Sequence, residues 1–465
     1  MSAVFFHQLV DHLRSLRFQV SLLILVVLFA TNGVIYTLKN EQLVQDNRQI
    51  QERHDREFDG IETVAQAVSQ WYSTPASRLA TEFIAEGGAN WFDDGHWMSP
   101  ESGAGVMYSG RIRANNNFLR RYELVDWTFI VRIALSFLCI VLAYDSISRE
   151  RQQGALQLCL ANPLPRSAFV AGRFLAHLAV LLLTLVVAAL VSLLVLALGG
   201  TVHVDGTILS AALLFLVGST LYISFFLLVT MAVSALVRDS GTALVAMILL
   251  WALLIVMIPQ SSYLLSVHSD DYVGRWEDTA WSSMDATWDR LAQEGLIMRP
   301  RELAATDGYA VEKQVARAID EAEKEQWRAN RETYERIVRQ YRMAWYINLL
   351  SPGYAFQYAT ESFLGTGIIR YEDLLSQLWQ YRQSLRDFLR TRDASDRDSP
   401  HVLYFSNYVS TAEIGAGEIP RFQQDPLEFG EGLAAGVVPI IVLVVEASAG
   451  LLLARWTFNR SDIAS

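Results

Sequence analysis

The sequence predicts a mainly α membrane protein. It has six transmembrane helices, an interfacial helix at the N-terminus and a largely helical extracytoplasmic domain built from two insertions. Three observations lead there. Of the 465 residues, 52% are hydrophobic and only 19% charged, which is too apolar for an ordinary soluble chain. Six windows are long and apolar enough for a bilayer core of roughly 30 Å: 18–38 (TM1), 127–144 (TM2), 169–198 (TM3), 208–236 (TM4), 241–260 (TM5) and 433–454 (TM6). Arginine is also unevenly distributed about those windows.

Residues 1–17 come first. Phe5, Leu9, Leu13 and Leu16 form one stripe with Arg14 and Arg17 beside it, the pattern of a helix lying in the membrane interface; a simple extension of the first span is the alternative. The span at 18–38 lacks a small-x-small cleavage site and runs on into helix-like sequence, so it reads as an anchor and not a removed signal. With both termini inside, the inner flanks carry Arg14, Arg17, Arg149, Arg151, Arg166, Arg173, Arg238, Arg455 and Arg460. The outer flanks carry Lys39, Arg120 and Arg121. That asymmetry favours cytoplasmic termini, including the tail 455–465, and puts insertion 1 (39–126) and insertion 2 (261–432) outside.

Insertion 1 opens with a polar helical stretch, 40–72, in which Ile61, Val64, Val68 and Trp71 recur at helical spacing; a loop-rich part punctuated by Pro and Gly follows. In insertion 2, Tyr309 to Asn348 contains no Gly or Pro and carries Trp327, Tyr334, Val338, Tyr341 and Trp345 on one face. Ser351-Pro352-Gly353 stops that helix, and 371–390 reads as another amphipathic one. A helical domain standing off the membrane is expected, its aromatic face being either core or a partner surface.

Several chemistries are excluded. None of the three lysines, Lys39, Lys313 and Lys324, follows a glycine, so the chain has no G-x-x-x-x-G-K-[ST] loop and is not expected to bind ATP in that manner. Neither a His-Glu-x-x-His motif nor a G-x-S-x-G elbow is present, and His96 and Met98 alone make a poor metal site, so no metal and no catalytic residue is expected. A net charge of −11 argues against nucleic acid as a partner. Within the membrane, Glu446 is a costly carboxylate, serving either a polar contact or pathway or a local structural role. His177 reads as interfacial. Arg132 reads as a residue that snorkels to the outer surface.

The stretch between the second and third spans, 145–168, is too long and too patterned for a plain turn. Asp145, Arg149, Glu150 and Arg151 lead a short amphipathic helix, Gly154 permits close approach, and Asn162-Pro163-Leu164-Pro165 ends it. The run Glu150-Arg151-x-x-Gly154-x-Leu156, followed by Pro163, Arg166 and Gly172-Arg173, resembles the loop signature of ABC-2-type transporter permeases. Residues 74–88, 348–367 and the helix after them resemble the outer segments of a subgroup with two large extracytoplasmic insertions, so the likeness covers nearly the whole chain. Ala155 stands where such permeases often have Thr, and Arg173 where many have Lys.

The resemblance implies a six-helix ABC-2 permease whose coupling helix sits on a separate ATPase. It makes Arg149, Glu150, Arg151, Gly154, Leu158 and Pro163 candidates for that contact. It also implies two ATPase subunits carrying ATP and Mg²⁺, no cofactor on this chain, and a second permease, either an identical copy or a sister chain. The setting would be a bacterial inner membrane. Export of a substrate is the expected task. The rivals are mechanical drive of an extracytoplasmic partner, and a membrane-anchored sensor or scaffold that works without an ATPase.

Overall fold

The computed structural model describes residues 2–75, 79–86, 95–101, 106–108, 125–153, 165–266, 274–402, 404–415 and 417–460. Six helices among them are long and apolar enough to cross a membrane: Leu16–Glu41, Trp127–Gln152, Ser167–Leu198, Gly206–Leu236, Ser240–Ser262 and Phe429–Arg460. We refer to these as spans one to six.

Helix α1 (Ser2–Arg14) is separate from α2 (Leu16–Asp59), because Ser15 leaves the helical region and its side chain accepts the Phe18 N–H at 3.2 Å as an N-cap. The first span, Leu16–Glu41, is part of one 44-residue helix, about 66 Å at ~1.5 Å per residue, that runs on to Asp59. The expected helix over 40–72 breaks after Asp59. Gly60 caps α2, and α3 (Val64–Ser69) restarts under a capping box between Thr63 and Gln66.

The segment expected to be loop-rich contains a small sheet. Strands β1 (Tyr72–Pro75), β2 (Gly95–Met98) and β3 (Val106–Tyr108) pair antiparallel in that order, with Tyr72 opposite Met98 and Met98 opposite Val106.

The second span starts at α4 (Trp127–Ile130), capped by Asp126, passes through a π turn at Val131–Leu135 and continues as α5 (Ser136–Ala143) and the short α6 (Ser148–Gln152). Spans three and four are α7 (Arg166–Leu198) and α8 (Gly206–Leu236). Span five is α9 (Ser240–Ala252), a second π turn at Leu253–Met257, and α10 (Ile258–Ser266). Aspartates start spans two, four and five by accepting a backbone N–H: Asp126 from Phe129 at 2.6 Å, Asp205 from Ile208 at 2.9 Å and Asp239 from Thr242 at 2.8 Å.

The outer helices follow as α11 (Gly274–Gln293), α12 (Arg301–Ala305), α13 (Ala310–Asn348), α14 (Pro352–Phe363) and α15 (Ile368–Ser395), and α16 (Phe429–Arg460) is the sixth span.

Two cores result. The larger joins the spans around Trp127, whose ring lies 5.3 Å from Phe29, 5.1 Å from Phe83 and 5.4 Å from Phe215. Its indole N–H donates to Ser192 at 3.0 Å, which itself donates to Asn32, so spans one, two and three share a buried polar thread. The smaller core, in the outer lobe, packs Phe58, Ile61, Val64 and Val68 against Leu374, Leu378, Leu385 and Leu389 of α15. Beside it, Arg382 and Arg386 both reach Glu323 of α13, while Arg390 holds Glu101 beyond β2 with two bonds of 3.1 Å.

One helix between the fifth and sixth spans packs among the spans themselves. Ala355, Phe356, Tyr358 and Ala359 of α14 belong to the larger core, and Phe356 stacks on Tyr222 of span four at 5.1 Å. At 12 residues α14 is too short to span a bilayer, yet it is buried on most sides. It lies close against α16 because Gly432 and Gly436 leave room. A Cβ on Gly432 would fall 2.5 Å from the Ser362 carbonyl oxygen, and one on Gly436 would fall 2.5 Å from the Phe363 ring.

Arg132 does not snorkel. It is 5% exposed and turns inward, its guanidinium donating to Gln357 at 2.7 Å and lying 4.6 Å over the Tyr354 ring. The π turn at Val131–Leu135 frees its carbonyl to accept the Tyr222 hydroxyl at 2.7 Å. His177 is likewise buried, its ring nitrogens facing the carbonyls of Arg173 at 2.9 Å and Leu142 at 3.2 Å.

Candidate functional site

A five-residue helix cannot hold itself together, since a single turn fixes many dihedrals for few bonds. Helix α6 is held by its neighbours. Ser234 of α8 accepts the backbone N–H groups of Ile147 and Ser148, both at 3.1 Å, in place of the side-chain N-cap that α6 lacks. Ser148 pairs with Ser240 of α9 at 3.0 Å, and Gln152 donates to Asp239 at 3.2 Å. Asp239 is held below the usual carboxylate range by the backbone N–H and hydroxyl of Thr242.

Two charged candidates brace the segment from within. Glu150 forms an ion pair with Arg173 of α7, a guanidinium that also lies 4.4 Å over the Phe169 ring. Arg151 donates to the Ala235 carbonyl at 2.9 Å, satisfying one of the acceptors left open where α8 ends. Under them, Ile147 is buried with Phe169, Val170, Met231 and Phe458. Any displacement of α6 therefore bears on spans three, four and five at once.

The third charged candidate points the other way. The Arg149 side chain is 60% exposed and lies 3.9 Å from Asp145. Asp145 is held instead by Arg17 at 2.9 Å, which ties the start of α2 to the same corner. Helix α1 completes it: His12 sits 4.2 Å from the His177 ring, and burial, with His177, Arg173 and Arg17 adding to it, holds its imidazole down at about 3. Gly154, Leu158 and Pro163 lie outside the described residues.

The structure thus brings Glu150 and Arg151 into one brace, leaves Arg149 on the surface, and puts Glu446 elsewhere. Glu446 is half-buried in α16, with one carboxylate oxygen lacking a hydrogen bond among the described residues. No group of three His, Cys, Asp or Glu is placed to hold a metal among the described residues.

Sequence reasoning named Arg17, Asp145, Glu150 and Arg173 but not how they pair. It missed Ser234 and Ser240 altogether. A serine inside or beside an apolar run carries no signal until the facing backbone is known.

The aromatic face of α13 is covered by the chain at both described ends. Trp327 meets Trp379 edge-on at 5.2 Å, and Trp345 stacks on Tyr358 at 5.2 Å. The side chains of Tyr334, Val338 and Tyr341 lie outside the described residues. Compared with known proteins, residues 2–463 match the family described as ABC-2 family transporter protein. No curated protein matches the chain.

Proposed function

This chain belongs to the ABC-2 transporter family, and from that premise we propose that it is the permease subunit through which a separate ATPase drives export of a substrate. The ATPase pushes on α6 and the residues after it. The observation that carries this reading is the brace: Glu150 on Arg173, Arg151 on the end of α8, and Ser148 on Ser234 and Ser240. A force applied there reaches three spans without passing through a loose loop. Exposed Arg149, Gln152 and Gln153 offer the partner a polar contact, while Glu150 and Arg151 pass the load inward. Gly154, Leu158 and Pro163, outside the described residues, are further candidates for the ATPase contact on the strength of the family resemblance.

In this reading two ATPase subunits hold ATP and Mg²⁺, and this chain holds no cofactor. It pairs with a second permease, the same chain or a sister. The arginine asymmetry supports cytoplasmic termini in a bacterial inner membrane, with both insertions outside. Co-purification tests the proposal. Arg149→Glu should weaken recovery of the ATPase while leaving the protein folded; a protein that exports its substrate with no ATPase bound ends this reading.

One observation favours a mechanical alternative. Helix α2 is unbroken from Arg17 at the α6 corner to Phe58 in the outer core. Movement at the inner face can travel along it to an extracytoplasmic partner without any substrate crossing. A Gly-Pro pair inserted near Gln45 would uncouple that route and leave export intact.

A further inference from the structure

At the outer end of the bundle, α13, α14, α15 and the second turn of α16 enclose a cavity of about 180 Å³, lined by Arg342, Trp345, Tyr346, Tyr358, Glu361 and Glu372, with Ala435 contributing from α16. At ~30 Å³ per water this is room for about six waters, the size of a small polar headgroup and less than a drug-sized ligand needs.

Its walls are aromatic. Trp345 and Tyr358 stack at 5.2 Å, Tyr346 stands edge-on to Trp345 at 5.1 Å, and Asn348 fixes the Tyr358 hydroxyl at 3.0 Å. Among its buried polar groups is the Glu361 carboxyl, 6% exposed, whose Oε1 accepts from Gln357 at 2.6 Å; Gln357 in turn accepts from Arg132. At the mouth Arg342 and Glu372 lie 3.6 Å apart, their side chains 60% and 33% exposed. Two carboxyl groups against one guanidinium favour a cation at the back and tolerate an anion at the rim.

The surroundings identify the source of such a ligand. Below Ala435, Val437, Val438 and Ile441 of α16 are exposed and apolar. Beside the pocket Met343 and Tyr346 of α13, with Leu350 in the turn just after it, are exposed and largely apolar. An aromatic residue in an apolar patch next to the outer end of a span is the signature of a lipid–water boundary.

We propose that this pocket binds the amine-bearing headgroup of a phospholipid from the outer leaflet. The ammonium sits against Glu361 at the side of the stacked Trp345–Tyr358 pair, the phosphate takes the place of Glu372 on Arg342, and the acyl chains lie along the exposed side of α16. A headgroup without an amine would bring only its phosphate to a pocket with two carboxyl groups.

Burial, helped by Asp126, raises Glu361 to about 8 against the opposing effects of Gln357 and Arg132. The empty pocket is therefore protonated at neutral pH, and entry of an ammonium displaces that proton. Affinity should accordingly rise with pH up to about 8.

The full-length protein in a non-ionic detergent tests this without any ATPase. The probes are dihexanoyl phosphatidylethanolamine, dihexanoyl phosphatidylglycerol and glycerophosphoethanolamine, read by native mass spectrometry and thermal shift. The ethanolamine lipid is expected to bind about tenfold tighter than the glycerol lipid and the free headgroup, and tighter at about pH 8.5 than at about pH 6.5. Glu361→Gln should abolish the preference and the pH response. Tyr346→Ala, an exposed rim position that leaves the core untouched, should weaken the ethanolamine lipid severalfold. Equal binding of the two lipids, free headgroup binding as tight as the lipid, or a Tyr346→Ala protein indistinguishable from wild type would each overturn the proposal.

Discussion

Glu150→Ala should strand a buried charge, and its cost can be worked from the structure. The Arg173 side chain is 4% exposed and that of Glu150 22%. Removing one member of a buried pair costs about 3–5 kcal/mol, because the remaining charge keeps its desolvation penalty without its partner. The fifth of Glu150 that reaches solvent marks a route for water toward the guanidinium, so the lower end, about 3 kcal/mol, is expected. In a chain this long each kcal/mol moves the melting point by only one or two degrees, giving a loss of about 5 °C. Intrinsic fluorescence of the solubilised protein during a thermal scan reads it. Arg173→Met should cost less, since Glu150 can then turn to solvent. The double variant Glu150→Ala/Arg173→Met should recover most of the loss, and the cycle isolates the pair. An unchanged melting point for Glu150→Ala, or a double variant that merely sums the two singles, would refute the brace.

Other outcomes follow from the same packing. Gly432→Ala would drive a Cβ into the Ser362 carbonyl oxygen at 2.5 Å, so α14 must shift; loss of about 2 kcal/mol is expected, seen as faster proteolysis near α14. Glu323→Ala removes the carboxylate that Arg382 and Arg386 share, leaving Arg382 on the Ser99 carbonyl and Arg386 on Asp320 and Glu101, and should loosen α15 first, with amide exchange rising there and not in the spans. For Glu361 the folded value of about 8 lies above the unfolded one, so the native state holds the proton longer. Stability of the wild type relative to Glu361→Gln should therefore fall as pH rises from about 4.5 to about 8 and level off above it. A difference in melting point that stays flat across that window would count against a buried, protonated carboxyl.

The spans were legible because hydrocarbon demands a run of about 20 apolar residues, a signal that needs no tertiary context. Their caps went unread, although Ser15, Asp126, Asp205 and Asp239 all stand just before a helix. The break at Gly60–Thr63 was hidden because Ile61, Val64 and Val68 keep helical spacing across it, while their common burial comes from α15, more than 300 residues on. Helix α14 escaped for a different reason. It is shorter than any span, and Gln357, Thr360 and Glu361 make it look like surface sequence. Only the glycines of α16 and the inward turn of Arg132 reveal that it lies among the spans. At the inner face the charged residues of the segment could be picked out, but not their division of labour. Whether an arginine braces or presents depends on which backbone carbonyls end nearby, as Ala235 does for Arg151 and nothing comparable does for Arg149.

The central claim is that an ATPase engages the segment that begins at α6. A photo-crosslinking amino acid placed at Arg149, in cells expressing the assembled transporter, tests it directly. An adduct with the ATPase subunit is expected from position 149, and none from Gln380 on the exposed face of α15. Illumination that yields no ATPase adduct from position 149, or yields one from position 380, would contradict the account.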